Sequence, residues 1–233
     1  MQRSFVQLTL LAIFALCSSP ASAWWDAHVA PTIPRLTDQT SQRLGLATAL
    51  TLLATRPHDE ELRDTWRDHQ RMSKPMADFG NHYALYGIPA FIALGEYGFV
   101  DEAKGLNHIR SLLFTFASTS SLKLITQRER PNQLNRYSLP SGHSSFAFAS
   151  ATALHMNYGW RASLPAGAVA IIVGLSRMTD DYHWATDVVA GAALGIWMGR
   201  AASFSSESSS ASVQWGVWSA GRMAPGLSIA WTY

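Results

Sequence analysis

A chain of 233 residues is long enough to bury one sizeable core. With 48% hydrophobic and only 15% charged residues it is not a disordered chain. A net charge of +2 without a long basic run argues against nucleic acid as a partner, so any bound anion must be held by a few placed cations.

The N-terminus has the form of an export signal over residues 1–23. Arg3 gives a positive start, Phe5 to Cys17 is largely apolar, and Ala21-Ser22-Ala23 is a small-x-small cleavage site. Cys17 is the single cysteine, so removal of this leader leaves neither a disulfide nor a thiol nucleophile. The next unit is residues 24–78. Trp24 to Arg43 is broken by prolines and is expected as a loose lead-in, followed by a short apolar helix over Leu44–Thr55. His58 to Met72 is strongly charged. Asp59, Glu60, Arg63, Asp64, Arg67 and Asp68 fall at turn spacing, the usual mark of a solvated face.

Residues 79–202 form the main unit, with helices expected at Tyr83–Val100, Gly105–Thr126, Ser144–Tyr158, Pro165–Met178 and Trp184–Ala202. Their faces are rich in Ala, Gly and Ser, which lets helices approach closely. The fold class is therefore all-α, a helical bundle. The last segment, 203–233, begins with a Ser-rich connector to Ser212. Val213, Trp215 and Val217, then Leu227, Ile229, Trp231 and Tyr233, alternate as two short strands around a Gly/Pro break. A lone hairpin is marginal in water, so this strand-like tail needs a surface to pack on.

Chemistry concentrates in three clusters: Lys123 to Arg130-Pro131, Pro140-Ser141-Gly142-His143, and Ser176-Arg177 to His183 and Asp187. On a helix, His183 and Asp187 would share a face, and a carboxylate on one imidazole nitrogen leaves the other free as base or nucleophile. An isolated His-x-x-x-Asp is more often a helix-surface pair. Ser141 is placed to N-cap the following helix, Gly142 admits a ligand to the backbone, and His143 stands at the mouth as a proton donor. Lys123, Arg130 and Arg177 supply fixed positive charge suited to phosphoryl oxygens, though each alone reads as a surface cation. Their co-occurrence in so weakly charged a chain is what points to a site.

Together, Lys-x6-Arg-Pro, Pro-Ser-Gly-His and Ser-Arg-x5-His-x3-Asp resemble, position by position and in order, the three-part pattern of the type 2 phosphatidic acid phosphatase (PAP2)/vanadium haloperoxidase superfamily. The resemblance covers roughly Phe79 to Ala202. It implies that His183 takes the phosphoryl group with Asp187 orienting it. It implies that His143 protonates the leaving oxygen, and that Lys123, Arg130, Arg177, Ser141 and Gly142 cradle the phosphate. No metal and no other cofactor is implied, because the cations stand where a magnesium ion would act. Asp78 and His82, four residues apart, offer a weaker metal reading. Asp180 and Asp181 would repel phosphate unless they point outward, while Arg128 and Arg136 could hold a second phosphate or equally be surface charges.

The implied activity is metal-independent hydrolysis of phosphate monoesters or diphosphates through a phosphohistidine. The substrate would be a phosphorylated lipid of the phosphatidate, phosphatidylglycerophosphate or polyprenyl diphosphate type, or a small phosphate ester. The alternatives are a soluble periplasmic acid phosphatase and, third, a vanadium-dependent haloperoxidase. Most stretches free of Asp, Glu, Lys and Arg fall short of the ~18 residues that span a bilayer, and the mean hydropathy is only +0.02. The expected location is the periplasmic side of a bacterial envelope, soluble or touching a membrane surface rather than integral in it, although Trp184–Ala202, with only Asp187 and Arg200 charged, keeps an integral bundle as the alternative.

Overall fold

In a computed structural model of the protein, residues 21–68, 71–85 and 87–204 are described. The main body of the expected leader and the strand-like tail lie outside them. Ten α-helices follow among the described residues: α1 Ala21–His28, α2 Thr32–Thr37, α3 Gln39–Thr55, α4 Asp59–Asp68, α5 Lys74–Leu85, α6 Ile88–Gly95, α7 Glu102–Thr126, α8 Gly142–Tyr158, α9 Trp160–Thr179 and α10 Ala185–Ala202. No strand occurs among the described residues.

Three boundaries differ from expectation, each for a local reason. The lead-in is helical rather than loose. Asp38 accepts the Ser41 N–H at 2.8 Å and so starts α3 well before Leu44. The expected helix Tyr83–Val100 is split at Gly87, whose φ of 67° closes off α5, and α6 restarts with Pro89 in its first turn. Pro165 lies inside α9, which begins earlier at Trp160. Ser203 and Phe204, expected as flexible connector, are buried. Phe204 N–H donates to Asn107, and the Arg110 guanidinium stacks 3.9 Å from the Phe204 ring centre.

The bundle is organised around α8. α10 runs along one side of it, α9 along another, and α7 touches both α8 and α10; α5 backs α9, and α3 crosses α10. The contact between α8 and α10 is close because α10 presents Gly191, Gly195 and Gly199 as a one-turn repeat. A Cβ at Gly195 would stand 2.3 Å from the Ser145 carbonyl oxygen, and one at Gly191 would stand 2.5 Å from that of Ser141. Gly195→Ala gains about 1 kcal/mol of helix propensity. Yet it must push two backbones apart, a strain of ~1–3 kcal/mol or more. The net expectation is a lower denaturant midpoint, read by urea unfolding followed by circular dichroism; a raised midpoint would refute the close-contact account.

Candidate active site

The α8–α10 contact brings two helix N-termini side by side. The Ser141 N–H, just before α8, donates to the Asp187 carbonyl in the first turn of α10 at 2.9 Å. Between α9 and α10 the chain folds back, with Tyr182 and His183 N–H groups donating to the Arg177 carbonyl at 3.1 and 3.2 Å. Residues 127–141 cross the end of α7, where Lys123 sits. All three sequence clusters therefore meet at one end of the bundle.

His183 is 4% exposed and Asp187 fully buried. His183 Nδ1 lies 3.6 Å from Asp187 Oδ2 and 3.5 Å from Ser138 Oγ, which itself donates to Oδ2 at 2.5 Å. The first distance is long for a formed hydrogen bond, as is common before a substrate tightens a site. A carboxylate facing Nδ1 keeps the proton there and leaves the Nε2 lone pair free. Nε2 faces Arg130, whose Nη1 is 3.5 Å away. Burial pushes the His183 imidazole down to about 4, against the pull of Asp187 and with help from Arg130 and Lys123. His183 is therefore neutral at pH 7. Burial raises the Asp187 carboxyl, but His183, Arg128 and Ser138 outweigh it and hold the group below the ordinary carboxylate range.

The three expected phosphate ligands converge. Lys123 Nζ donates to the Tyr137 carbonyl at 2.6 Å, and Arg130 donates to Asn135 Oδ1 at 2.9 Å and to the Tyr182 carbonyl at 3.2 Å. Arg177 is 4% exposed; its Nε donates to Ser176 Oγ and its Nη2 lies 3.4 Å from Asp180. Burial pushes Lys123 down to about 8 and Arg177 down to about 10, and it lowers Arg130 as well. Among the described residues, Lys123 and Arg130 make no ion pair. Two desolvated cations held by neutral oxygens, beside a third, form a site that an anion would stabilise.

His143 lies at the start of α8 with Nε2 at 3.1 Å from the Asn81 carbonyl. Burial, then the charges of Arg177 and His183, push it down to about 3. Without an anion it is neutral; the charge of a bound phosphate would favour its proton. Gly142 opens α8, and a Cβ there would meet only Lys123 Cε and Thr119 Cγ2, both at 3.9 Å. Ser141 occupies the N-cap position but makes no side-chain cap; its Oγ instead accepts from Ser144 Oγ at 3.1 Å.

Other sequence readings change. The charged segment after His58 is not a plain solvated face. Asp59 is 4% exposed, and Arg63 makes a two-pronged bond to Asp181 at 2.6 and 2.8 Å. Asp180 is held by Asn81 and Arg177, so both acids of the third cluster have partners other than a ligand. Arg128 is not available for a second phosphate: it donates to Asp187 Oδ1, Thr186 Oγ1 and Asp59 Oδ2 at 2.6, 2.6 and 2.7 Å. Arg136 is exposed with its Nε on the Gln127 carbonyl. Asp78 pairs with Lys74, and His82 Nδ1 bonds the Asp78 carbonyl. Ser138, Thr186 and Asn81 also belong to the site, although as small polar residues they carry no spacing signal of their own in the sequence. A cavity of about 490 Å³ is lined by Leu52, Leu53, Arg56, Arg128 and Arg136 but not by His183, so it adjoins the Asp59 network rather than the cation cluster.

Residues 104–207 match the PAP2 superfamily. The chain is 45% identical over 76 residues to the lipid A 1-phosphatase of Porphyromonas gingivalis, covering 31% of this chain and 17% of that protein. It is 38% identical over 53 residues to the lipid A 4'-phosphatase of Helicobacter pylori, covering 23% of this chain and 27% of the relative. The matched regions thus span under a third of these relatives' lengths. In fold it is similar to Aquifex aeolicus LpxE, with a TM-score of 0.53 at 24% identity over 60% of this chain and 92% of that one. It is also similar to a transmembrane PAP2-type phosphatidylglycerolphosphate phosphatase from Bacillus subtilis, with a TM-score of 0.51 at 20% identity over 67% and 90%. The matched region, residues 104–207, contains all three motif clusters and the helices that carry them, so it is this part of the chain that resembles the PAP2 superfamily.

Proposed function

We propose that this protein is a phosphoric ester hydrolase that removes phosphate from lipids, without a metal ion, through a phosphohistidine on His183. The observation that carries this is the neutral, buried His183, with Nδ1 towards Asp187 and Nε2 towards a cluster of desolvated cations. In the first step the Nε2 lone pair attacks phosphorus and the N–P bond forms. The P–O bond to the substrate breaks, and the His143 proton goes to the leaving oxygen. Water then attacks phosphorus, His143 takes its proton, the N–P bond breaks and inorganic phosphate leaves. Lys123, Arg130 and Arg177 hold the equatorial oxygens on which transition-state charge develops, with backbone at Ser141 and Gly142.

A lipid substrate is supported by the two lipid A phosphatase relatives and by the surface of the bundle. Leu46, Leu50 and Leu53 of α3, Phe91 of α6, and Leu164 and Ile171 of α9 are exposed, a distribution suited to a membrane surface. Among the described residues only α9 is long and apolar enough to cross a bilayer, with 33% of its apolar window buried. The export-signal form of residues 1–23 supports a location on the exported side of a bacterial envelope.

Phosphate release from lipid phosphates and diphosphates in detergent micelles, measured beside soluble esters, tests the reading. Expected are faster release from the lipid esters, full activity in EDTA, and competitive inhibition by vanadate, whose five-coordinate form resembles the transition state. Activity lost in EDTA and restored by magnesium would reject the metal-free mechanism. Equal rates on soluble esters would favour a non-specific acid phosphatase.

A further inference from the structure

We propose that Asp59, on a helix outside the matched region, is a positioning residue of the site: through Arg128 and Thr186 it fixes the carboxylate that orients His183. Asp59 begins α4 and is buried at the N-terminus of α10. Its Oδ1 accepts the Thr186 N–H at 2.9 Å, and its Oδ2 accepts Thr186 Oγ1 at 2.6 Å and Arg128 Nη2 at 2.7 Å. The Thr186 amide is one of the donors that a helix start leaves without an intrahelical partner, so Asp59 caps α10 from another helix. Its negative charge also suits that end of the helix dipole.

The consequence reaches Asp187 through one guanidinium. Arg128 uses Nη2 on Asp59 and Nη1 on Asp187 Oδ1 and Thr186 Oγ1. With Oδ1 occupied, Oδ2 remains for the Ser138 hydroxyl, the Trp184 N–H at 3.0 Å and the His183 ring. Without Asp59 the planar fork of Arg128 has one carboxylate rather than two, and the Thr186 N–H loses its acceptor. The carboxylate opposite His183 is then free to turn. A second tie from the same helix, Arg63 to Asp181, holds the preceding loop. Arg56, at the surface, lies 3.5 Å from Asp59 Oδ2 and cannot replace the buried bonds.

This inference rests on the phosphohistidine reading, and the test separates the two. Asp59→Asn keeps an acceptor for the Thr186 N–H but removes the charge that pairs with Arg128. The charged and titratable groups facing His183 are Asp187, Arg130, Lys123 and His143. Less well held, Asp187 favours the imidazolium less, and Arg128 loses its counter-charge. Both changes move the His183 titration below its value of about 4.

Expected for Asp59→Asn are a kcat about 10- to 100-fold lower with KM nearly unchanged. Expected with it is a downward shift of the His183 midpoint, read by nitrogen-15 NMR, while Glu60→Gln, one residue along, changes neither. An unchanged midpoint and kcat in folded Asp59→Asn would overturn the proposal, as would a fall in stability alone. If that variant fails to fold, Arg128→Lys tests the same bridge, since one ammonium cannot bond both carboxylates in two-pronged fashion. A wild-type kcat in Arg128→Lys would overturn the proposal. The NMR shift is read without turnover, so a wild-type protein that releases no phosphate but shows the shift refutes the enzymatic reading and leaves the positioning role standing.

Discussion

His183→Ala is expected to lower kcat by at least about 10⁴-fold, because it removes the covalent step rather than weakening it. Alanine leaves the cation cluster in place, so phosphate and vanadate should still bind while turnover stops. A rapid quench of the wild type with radiolabelled ester should show an acid-labile phosphoryl group on the protein, absent from the variant. Retention of more than about a hundredth of wild-type kcat would show that the phosphoryl group passes directly to water. The pH response carries its own sign. His183 attacks only when neutral and is held down to about 4, so activity is lost as pH falls through that region and is not limited by this group at neutral pH.

The second large effect belongs to His143, and its size should depend on the leaving group. An alkoxide needs a proton as the P–O bond breaks, whereas p-nitrophenolate leaves without one. His143→Ala should therefore cost about 10³-fold on an alkyl or lipid phosphate, within the range for general acids, and much less on p-nitrophenyl phosphate. Parallel kcat measurements decide it, and equal losses on both substrates would remove His143 from the acid role. In the free protein burial, Arg177 and His183 push this imidazole down to about 3, so at pH 7 it is neutral and lacks the imidazolium proton that a general acid gives. A bound phosphate analogue adds negative charge beside it. The His143 midpoint should therefore rise on saturation with vanadate, a shift followed by NMR; an unmoved midpoint would leave the acid without its proton.

What could be read from the chain alone was whatever its own local geometry encodes. Helix periodicity and small-residue faces identified an all-α bundle, because helix hydrogen bonds close within four residues and leave their mark at that spacing. The three clusters were legible because each lies within a dozen residues of chain, and the structure brings Lys123, Arg130, His143, Arg177, His183 and Asp187 to one end of the bundle. Helix starts were less legible. Asp38 caps α3 from inside a proline-broken stretch, and Gly87 divides an apolar run that looks continuous.

Only the tertiary structure decided which charges are buried and whom they meet. Asp59 reads as one acid in a solvated run, yet it bonds Arg128 across 69 residues and Thr186 across 127. Arg63 meets Asp181 across 118. Arg128, which the sequence leaves between a second phosphate ligand and a surface charge, turns instead to Asp187. Such pairs have no period and no local spacing. They exist because α4 packs on the loop between α9 and α10, and a charge removed from water there must find an opposite charge or a hydrogen bond. The partner is chosen by which helices the bundle brings together, which the order of residues along the chain does not display.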